Sequence, residues 1–247
     1  MMKPLLILKT GELPRAVTTQ CGRYEQAFFN VLGPARCVVV DARKETLPEP
    51  DWAGIIVTGS PASANDPDSW VNKSEDFLKR AADQSVPIYG ICFGHQHVAH
   101  AFGGTIEKNP HGWELGTVTV SLTPDGRRNP LFSTVPESFP AQQSHGEIVT
   151  ALPPGATALA HNESCPYQAF SLETHIWGTQ FHPEFTPAIM AGLIASLATV
   201  LPAESFPRWP SAQQPLQDWL LKTVQDAPAA QRCLTNFAAL VTQRLGA

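Results

Sequence analysis

Val86-Pro87-Ile88-Tyr89-Gly90-Ile91-Cys92-Phe93-Gly94-His95-Gln96 is the stretch that decides how the rest of the chain is read. A short apolar run leads into a cysteine between glycines, and a helix-like pattern follows. The run suits a buried strand. Gly90 and Gly94 remove the side chains that would crowd a sharp strand-to-helix turn. Cys92 then stands at a helix N-terminus, where the backbone dipole favours a thiolate. Far downstream, Gly178-Thr179-Gln180-Phe181-His182-Pro183-Glu184 supplies a histidine with a carboxylate two residues on. Cys92, His182 and Glu184 are the parts of an activated-thiol triad: a nucleophile, a general base and a group that orients the base.

Outward from the elbow, short apolar segments alternate with helical ones. Residues 5–8, 37–40 and 54–58 read as buried strands, and 87–91 as the strand entering the elbow. Residues 23–32 read as a helix with Tyr24, Phe28, Val31 and Leu32 on one face. Residues 75–82 and 96–102 read as helices, the second stopped by Gly103-Gly104. This alternation predicts an α/β fold with an open, mostly parallel sheet flanked by helices. Residues 116–122, 156–160, 167–172 and 176–181 read as an antiparallel excursion that turns at 173–175. It returns His182-Pro183-Glu184 to the sheet edge. Residues 187–200 read as a helix with proline in its first turn.

Hydrophobic residues make up 43% of the 247 and charged residues 16%, enough for a sizeable core and too apolar for a disordered chain. A net charge of −5 leaves no dominant basic face, so nucleic acid and anionic membranes are not expected partners. No stretch approaches membrane-spanning length, and the apolar run at 5–8 is too short for a secretory signal. The five cysteines, Cys21, Cys37, Cys92, Cys165 and Cys233, form no CxxC pair. A disulfide framework or structural zinc is not expected, and a reduced cytoplasm fits best. His95, His97 and His100 cluster on the elbow helix, but no Asp, Glu or Cys completes a ligand set, so they read as packing and surface residues. With no phosphate-binding glycine loop, no nucleotide, no metal and no obligatory cofactor are expected.

Gly-Ile-Cys-Phe-Gly-His-Gln followed by Phe-His-Pro-Glu resembles the class I, triad-type glutamine amidotransferase family. The likeness is greatest to stand-alone members similar to the amidotransferase half of GMP synthase, and it runs from about residue 5 to about 200. It implies a flavodoxin-like fold with Cys92 at the carboxyl end of a central strand. The implied chemistry is hydrolysis of the glutamine side-chain amide through a Cys92 γ-glutamyl thioester. The implied oxyanion hole takes the Phe93 N–H and, from Thr58-Gly59-Ser60-Pro61, the residue before proline. That residue is Ser60, where many members carry glycine, and Gly59 permits the turn. Gln96 matches a residue that contacts bound glutamine. Gln143-Ser144-His145-Gly146-Glu147 resembles the Ser-His-Gly-Asp loop whose backbone holds the substrate's α-carboxylate and α-amino ends, with Glu147 in place of aspartate. Trp113-Glu114-Leu115-Gly116 matches a segment at the pocket mouth.

The organisation expected is an amidotransferase domain over 1–200 and a C-terminal extension over 201–247. Pro202, Pro207, Pro210 and Pro215 punctuate a linker, and helices follow at 216–225 and 229–245. Cys233, Leu234, Phe237, Leu240, Val241 and Leu245 form an apolar stripe on the last. That stripe suits intramolecular packing, with a dimer or synthase-docking role as the alternatives. No acceptor-activating segment is recognisable, which leaves three readings. The chain is an ammonia-generating subunit of a synthase, a free-standing γ-glutamyl hydrolase or peptidase, or a non-catalytic binding or regulatory protein. Glutamine or a γ-glutamyl small molecule is the expected ligand in the first two.

Overall fold

The apolar tetrapeptides of the N-terminal half form the inner strands of one sheet. The computed structural model describes residues 3–210 and 214–245. The ends of the expected 1–200 and 201–247 segments, residues 211–213 and the Leu245 side chain lie outside the described residues. In chain order the elements are β1 (Leu5–Lys9), α1 (Arg15–Cys21), α2 (Tyr24–Leu32), β2 (Cys37–Asp41), β3 (Gly54–Val57), α3 (Ser69–Asp83), β4 (Ile88–Ile91) and α4 (Phe93–Ala101). Then come β5 (Thr105–Lys108), β6 (Glu114–Leu122), α5 (Pro124–Arg128), β7 (Ser138–His145), β8 (Glu147–Ala151) and β9 (Thr157–His161). The chain continues through β10 (Ala169–Leu172), β11 (Ile176–Thr179), α6 (Pro187–Leu197), α7 (Leu216–Leu221) and α8 (Pro228–Leu245).

The main sheet runs β2-β1-β3-β4-β11-β10-β9-β6-β7. Strands β2 to β11 in that order are parallel, and the rest continue the sheet antiparallel. A separate two-stranded ribbon pairs β5 with β8. Helices cover both faces, so the inner parallel strands, Lys9 at the end of β1 excepted, bury their side chains and read as apolar runs. Leu5, Ile7, Ile56, Tyr89 and Ile91 join one core with α2 and α8. Leu6, Leu8, Ile55, Val57 and Ile88 join the other with α3 and α4.

Three sequence expectations are corrected. Residues 37–40 are not a buried strand: β2 is the outermost strand, and Val38 is 40% exposed. His182 is not returned to a sheet edge. The β10–β11 hairpin inserts β11 mid-sheet, with Ile176 beside Ile88 of β4 and Leu172 on its other side. Residues 143–147 are not a loop but the end of β7, Gly146 and the start of β8. Helix α1 carries only one buried residue, Val17, and so leaves no apolar stripe to read.

Helix α8 packs into the core. Phe237 lies 5.4 Å from Tyr89 and 6.1 Å from Trp177 between ring centroids. A Cβ on Gly54 would come within 2.8 Å of Val241, so β3 and α8 are in close contact. Cys233, Leu234, Phe237 and Val241 are buried, and Leu240 is partly so. Among the described residues no helix is long and apolar enough to cross a membrane.

Candidate active site

Cys92 joins β4 to α4 with φ 53° and ψ −107°. A non-glycine residue in such a conformation costs about 1–3 kcal/mol and persists only where its surroundings over-determine it. They do so here. The Cys92 N–H donates to the Thr179 carbonyl of β11 at 2.8 Å, and the Gln96 N–H donates to the Cys92 carbonyl at 3.1 Å. The elbow is also tightly backed: a Cβ on Gly90 would sit 2.2 Å from the Gly94 carbonyl oxygen, and one on Gly94 would sit 2.2 Å from that of Val57. Both obstacles are backbone, so neither position admits a side chain without moving α4 off the sheet.

β11 runs beside β4, and the chain that leaves it carries His182 and Glu184 to the elbow. The His182 N–H donates to the Gln142 carbonyl of β7 at 2.9 Å, which fixes the backbone there. Its ring Nδ1 donates to Glu184 Oε1 at 2.7 Å. Burial by itself would lower the His182 pKa, but the charges and hydrogen bonds of Glu184 and Cys92 outweigh it and raise the imidazole to about 10. The Phe185 ring stacks on the imidazole at 3.9 Å and 4°, a face that favours the cation.

Tyr24 belongs to this constellation, although sequence reading assigned it only to a helix face. Its hydroxyl donates to Glu184 Oε1 at 2.8 Å and accepts the Gly59 N–H at 3.0 Å. One buried phenol therefore joins the carboxylate to the turn after β3. Burial, then the Glu184 charge, holds its pKa well above the ordinary tyrosine range, so it stays a donor. Gly59 is pressed between these groups: a Cβ there would sit 2.8 Å from both His182 Cε1 and Tyr24 Oη. The following Ser60 caps its own turn, its Oγ accepting the Ala62 N–H at 3.1 Å. Phe93 opens α4, so its N–H precedes the first intrahelical bond.

The other residues singled out in the sequence are placed as follows. Gln96 Nε2 donates to the Glu147 carbonyl at 2.7 Å and to Gln180 Oε1 at 3.1 Å. The Ser144 carbonyl is 3.7 Å from Cys92 Sγ. His145 Nδ1 lies 3.1 Å from the Glu147 carbonyl, and its Nε2 lies 3.1 Å from Glu114 Oε2. Gln143 turns away from the cysteine and donates to Gln168 Oε1 at 2.7 Å. Gln168 in turn donates to Glu114 at 3.0 Å, and Asn162 does so at 2.6 Å. Burial would raise the Glu114 pKa, but His145, Asn162 and Gln168 together lower it. Of the elbow-helix histidines, His97 is buried against Ser74 Oγ at 2.8 Å, and His100 pairs with Glu75 at 2.6 Å. His95 is buried against Phe170.

Cys92, His182, Tyr24, Gly59, Ser60, Gln96 and the 144–147 hairpin all face one cavity of about 920 Å³. Its outer wall includes Trp113 and the segment Glu204, Ser205 and Pro207. The Trp113 N–H donates to the Ser205 carbonyl at 2.8 Å, so the C-terminal part of the chain closes one side.

This arrangement is that of an open α/β sheet with a thiol and an imidazole–carboxylate pair set together at the carboxyl ends of adjacent parallel strands. The profile of the family described as "Glutamine amidotransferase class-I" matches residues 25–195. The GMP synthase [glutamine-hydrolyzing] of Thermosipho africanus is 36% identical over 147 residues, which cover 59% of this chain and 27% of the relative. A glutamine amidotransferase-like protein of Schizosaccharomyces pombe is 33% identical over 150 residues, covering 60% of this chain and 59% of the relative. This chain thus spans about a quarter of the length of the GMP synthase it matches. Among solved structures, a glutamine amido transferase from Methylobacillus flagellatus superposes with a TM-score of 0.73 at 24% identity, covering 98% of this chain and 95% of that one. The chain belongs to the class I glutamine amidotransferase family.

Proposed function

We propose that the protein hydrolyses the side-chain amide of glutamine to glutamate and ammonia, with Cys92 as nucleophile, His182 as acid and base, and Glu184 as orienting carboxylate. The observation that carries this reading is the convergence of the strained Cys92 elbow and the His182–Glu184 pair on one cavity. The Cys92 thiolate attacks the γ-carbonyl carbon and forms the C–S bond. The N–H groups of Phe93 and Ser60 hold the oxyanion, since the Gly59 N–H is already committed to Tyr24. As the C–N bond breaks, His182 gives its proton to the departing nitrogen. A water then attacks the thioester and returns a proton to His182, and cleavage of the C–S bond releases glutamate and the thiolate. Gln96, Ser144 and His145 hold the glutamyl end, and Gln143 supports them from behind through Gln168. The glutamine-hydrolysing label of the matched synthases supports glutamine as the amide. In the same reading, a synthase partner takes up the ammonia.

The test is release of glutamate and ammonia from glutamine by the full chain and by Cys92→Ala. Loss of at least about 10³-fold in the variant, the scale seen when a nucleophile is removed, is expected. Equal rates in the two proteins would overturn the assignment.

A further inference from the structure

Under the proposed chemistry His182 protonates the departing amine, so the leaving group exits past the His182 imidazole. The cavity as a whole is mixed, with Glu12, Lys108 and Glu204 in its lining, but an apolar patch stands on the imidazole side. Phe185 covers the imidazole face, and Leu13, Leu193 and Leu197 line the same cavity. Leu13, Phe185 and Leu193 are nearly buried, which makes this wall an outcrop of the core rather than scattered surface carbon. The chain's own C-terminal part also lines this cavity: a Cβ on Gly112 would lie 2.4 Å from the Ser205 carbonyl oxygen and 2.6 Å from Pro207 Cδ. That seat is too close to be incidental.

Size points the same way. Clefts that enclose drug-sized ligands run about 300–1,000 Å³, and 920 Å³ lies near the top of that range. Ammonia released from glutamine has no carbon to set against these side chains, of which Leu197 is the half-buried one. An amine with a hydrocarbon body would cover them.

We propose that this wall is a leaving-group subsite, and that the preferred substrate is a γ-glutamyl amide whose amine carries an apolar body of several carbons. The inference rests on the thioester chemistry proposed above. The bond changes are the same: the C–S bond forms, the C–N bond breaks, and His182 supplies the proton that leaves with the amine. Water then regenerates the thiolate and releases glutamate.

The experiment compares kcat/KM of the full chain for glutamine, γ-glutamyl ethylamide and γ-glutamyl butylamide, with Cys92 labelling by a chloroketone analogue of glutamine run alongside. Each methylene buried is worth about fourfold. The butylamide is therefore expected to exceed glutamine by at least about tenfold. Leu197→Ala, at a half-buried position, is expected to lower the butylamide-to-glutamine ratio several-fold. Glutamine turned over as well as the butylamide, or a ratio unmoved in Leu197→Ala, overturns the subsite while the nucleophile stands. Labelling of Cys92 without butylamide turnover does the same. Turnover of no substrate with Cys92 unlabelled overturns both readings.

Discussion

At the scale of the residue, His182 carries the sharpest consequence. Its pKa rises from 6.5 to about 10 because Glu184 and Cys92 overcome the effect of burial. A pKa raised on folding adds stability that is fully present below the unfolded value and is lost as pH climbs through the folded one. Wild type is therefore expected to exceed His182→Gln in stability by the largest margin below about pH 6.5, with the margin shrinking toward pH 10 by on the order of a few kcal/mol. Thermal melts of the two proteins across that window check it, and a margin independent of pH would contradict the assignment. The same cause predicts a lower His182 titration midpoint in Cys92→Ala, read by NMR of the imidazole. The proximity of His182 and Glu184 was legible because only Pro183 stands between them. Their approach to Cys92 was not legible from spacing, because it depends on β11 lying beside β4.

At the scale of the element, the constellation is three segments held by one phenol. Helix α2 brings Tyr24 to the carboxylate that follows β11 and to the Gly59 N–H that follows β3. Removing the hydroxyl leaves Gly59 an unpaired buried donor and takes one of two donors from Glu184 Oε1. An unmade buried hydrogen bond costs about 1–3 kcal/mol, so Tyr24→Phe is expected to lower kcat about 5- to 150-fold. KM should change little, because the hydroxyl touches the machinery and not the glutamyl end. A rise in KM with kcat intact would show that Tyr24 shapes binding instead. Tyr24 was hidden in the sequence for a physical reason: at a helix-face position it reads as core, and its partner lies 160 residues away. The elbow was legible because its sequence signals are local, namely a strand, two glycines and a helix start, although Gly94 packs on Val57 and Cys92 bonds to Thr179 from distant strands. The 143–147 hairpin escaped because the family resemblance, not strand periodicity, gives those residues as a loop, whereas Gly146 is needed for contact with Trp113, 2.5 Å from where its Cβ would be. The exposure of β2 depends on which strand lies outermost, and that is set by the whole sheet rather than by residues 37–40.

At the scale of the whole molecule, the C-terminal part has two duties that composition did not separate. Its proline-rich start forms a wall of the cavity, and α8 covers the sheet face behind the site. Phe237 meets Tyr89 of β4 and Trp177 of β11, the two strands that lead to Cys92 and His182. Cys233, Leu234 and Val241 bury with it. Fully burying one such side chain contributes about 1.5–3 kcal/mol, so losing several removes an amount comparable with the whole roughly 5–15 kcal/mol by which a domain is stable. A chain ended after residue 200 is therefore expected to be insoluble, or to melt without cooperativity, even though it keeps every residue of the elbow and of the His182–Glu184 pair. Phe237→Ala in the full chain is the milder form of the same test, with an expected loss of about 3–5 kcal/mol in denaturant unfolding. If the shortened chain instead folded with an unchanged midpoint, α8 would be an appendage, and its apolar face would be free to bind something else. Cooperative loss of the sheet on removing α8 would mean that the strands carrying Cys92 and His182 are held in register by the end of the chain, so the site depends on residues outside the matched 25–195.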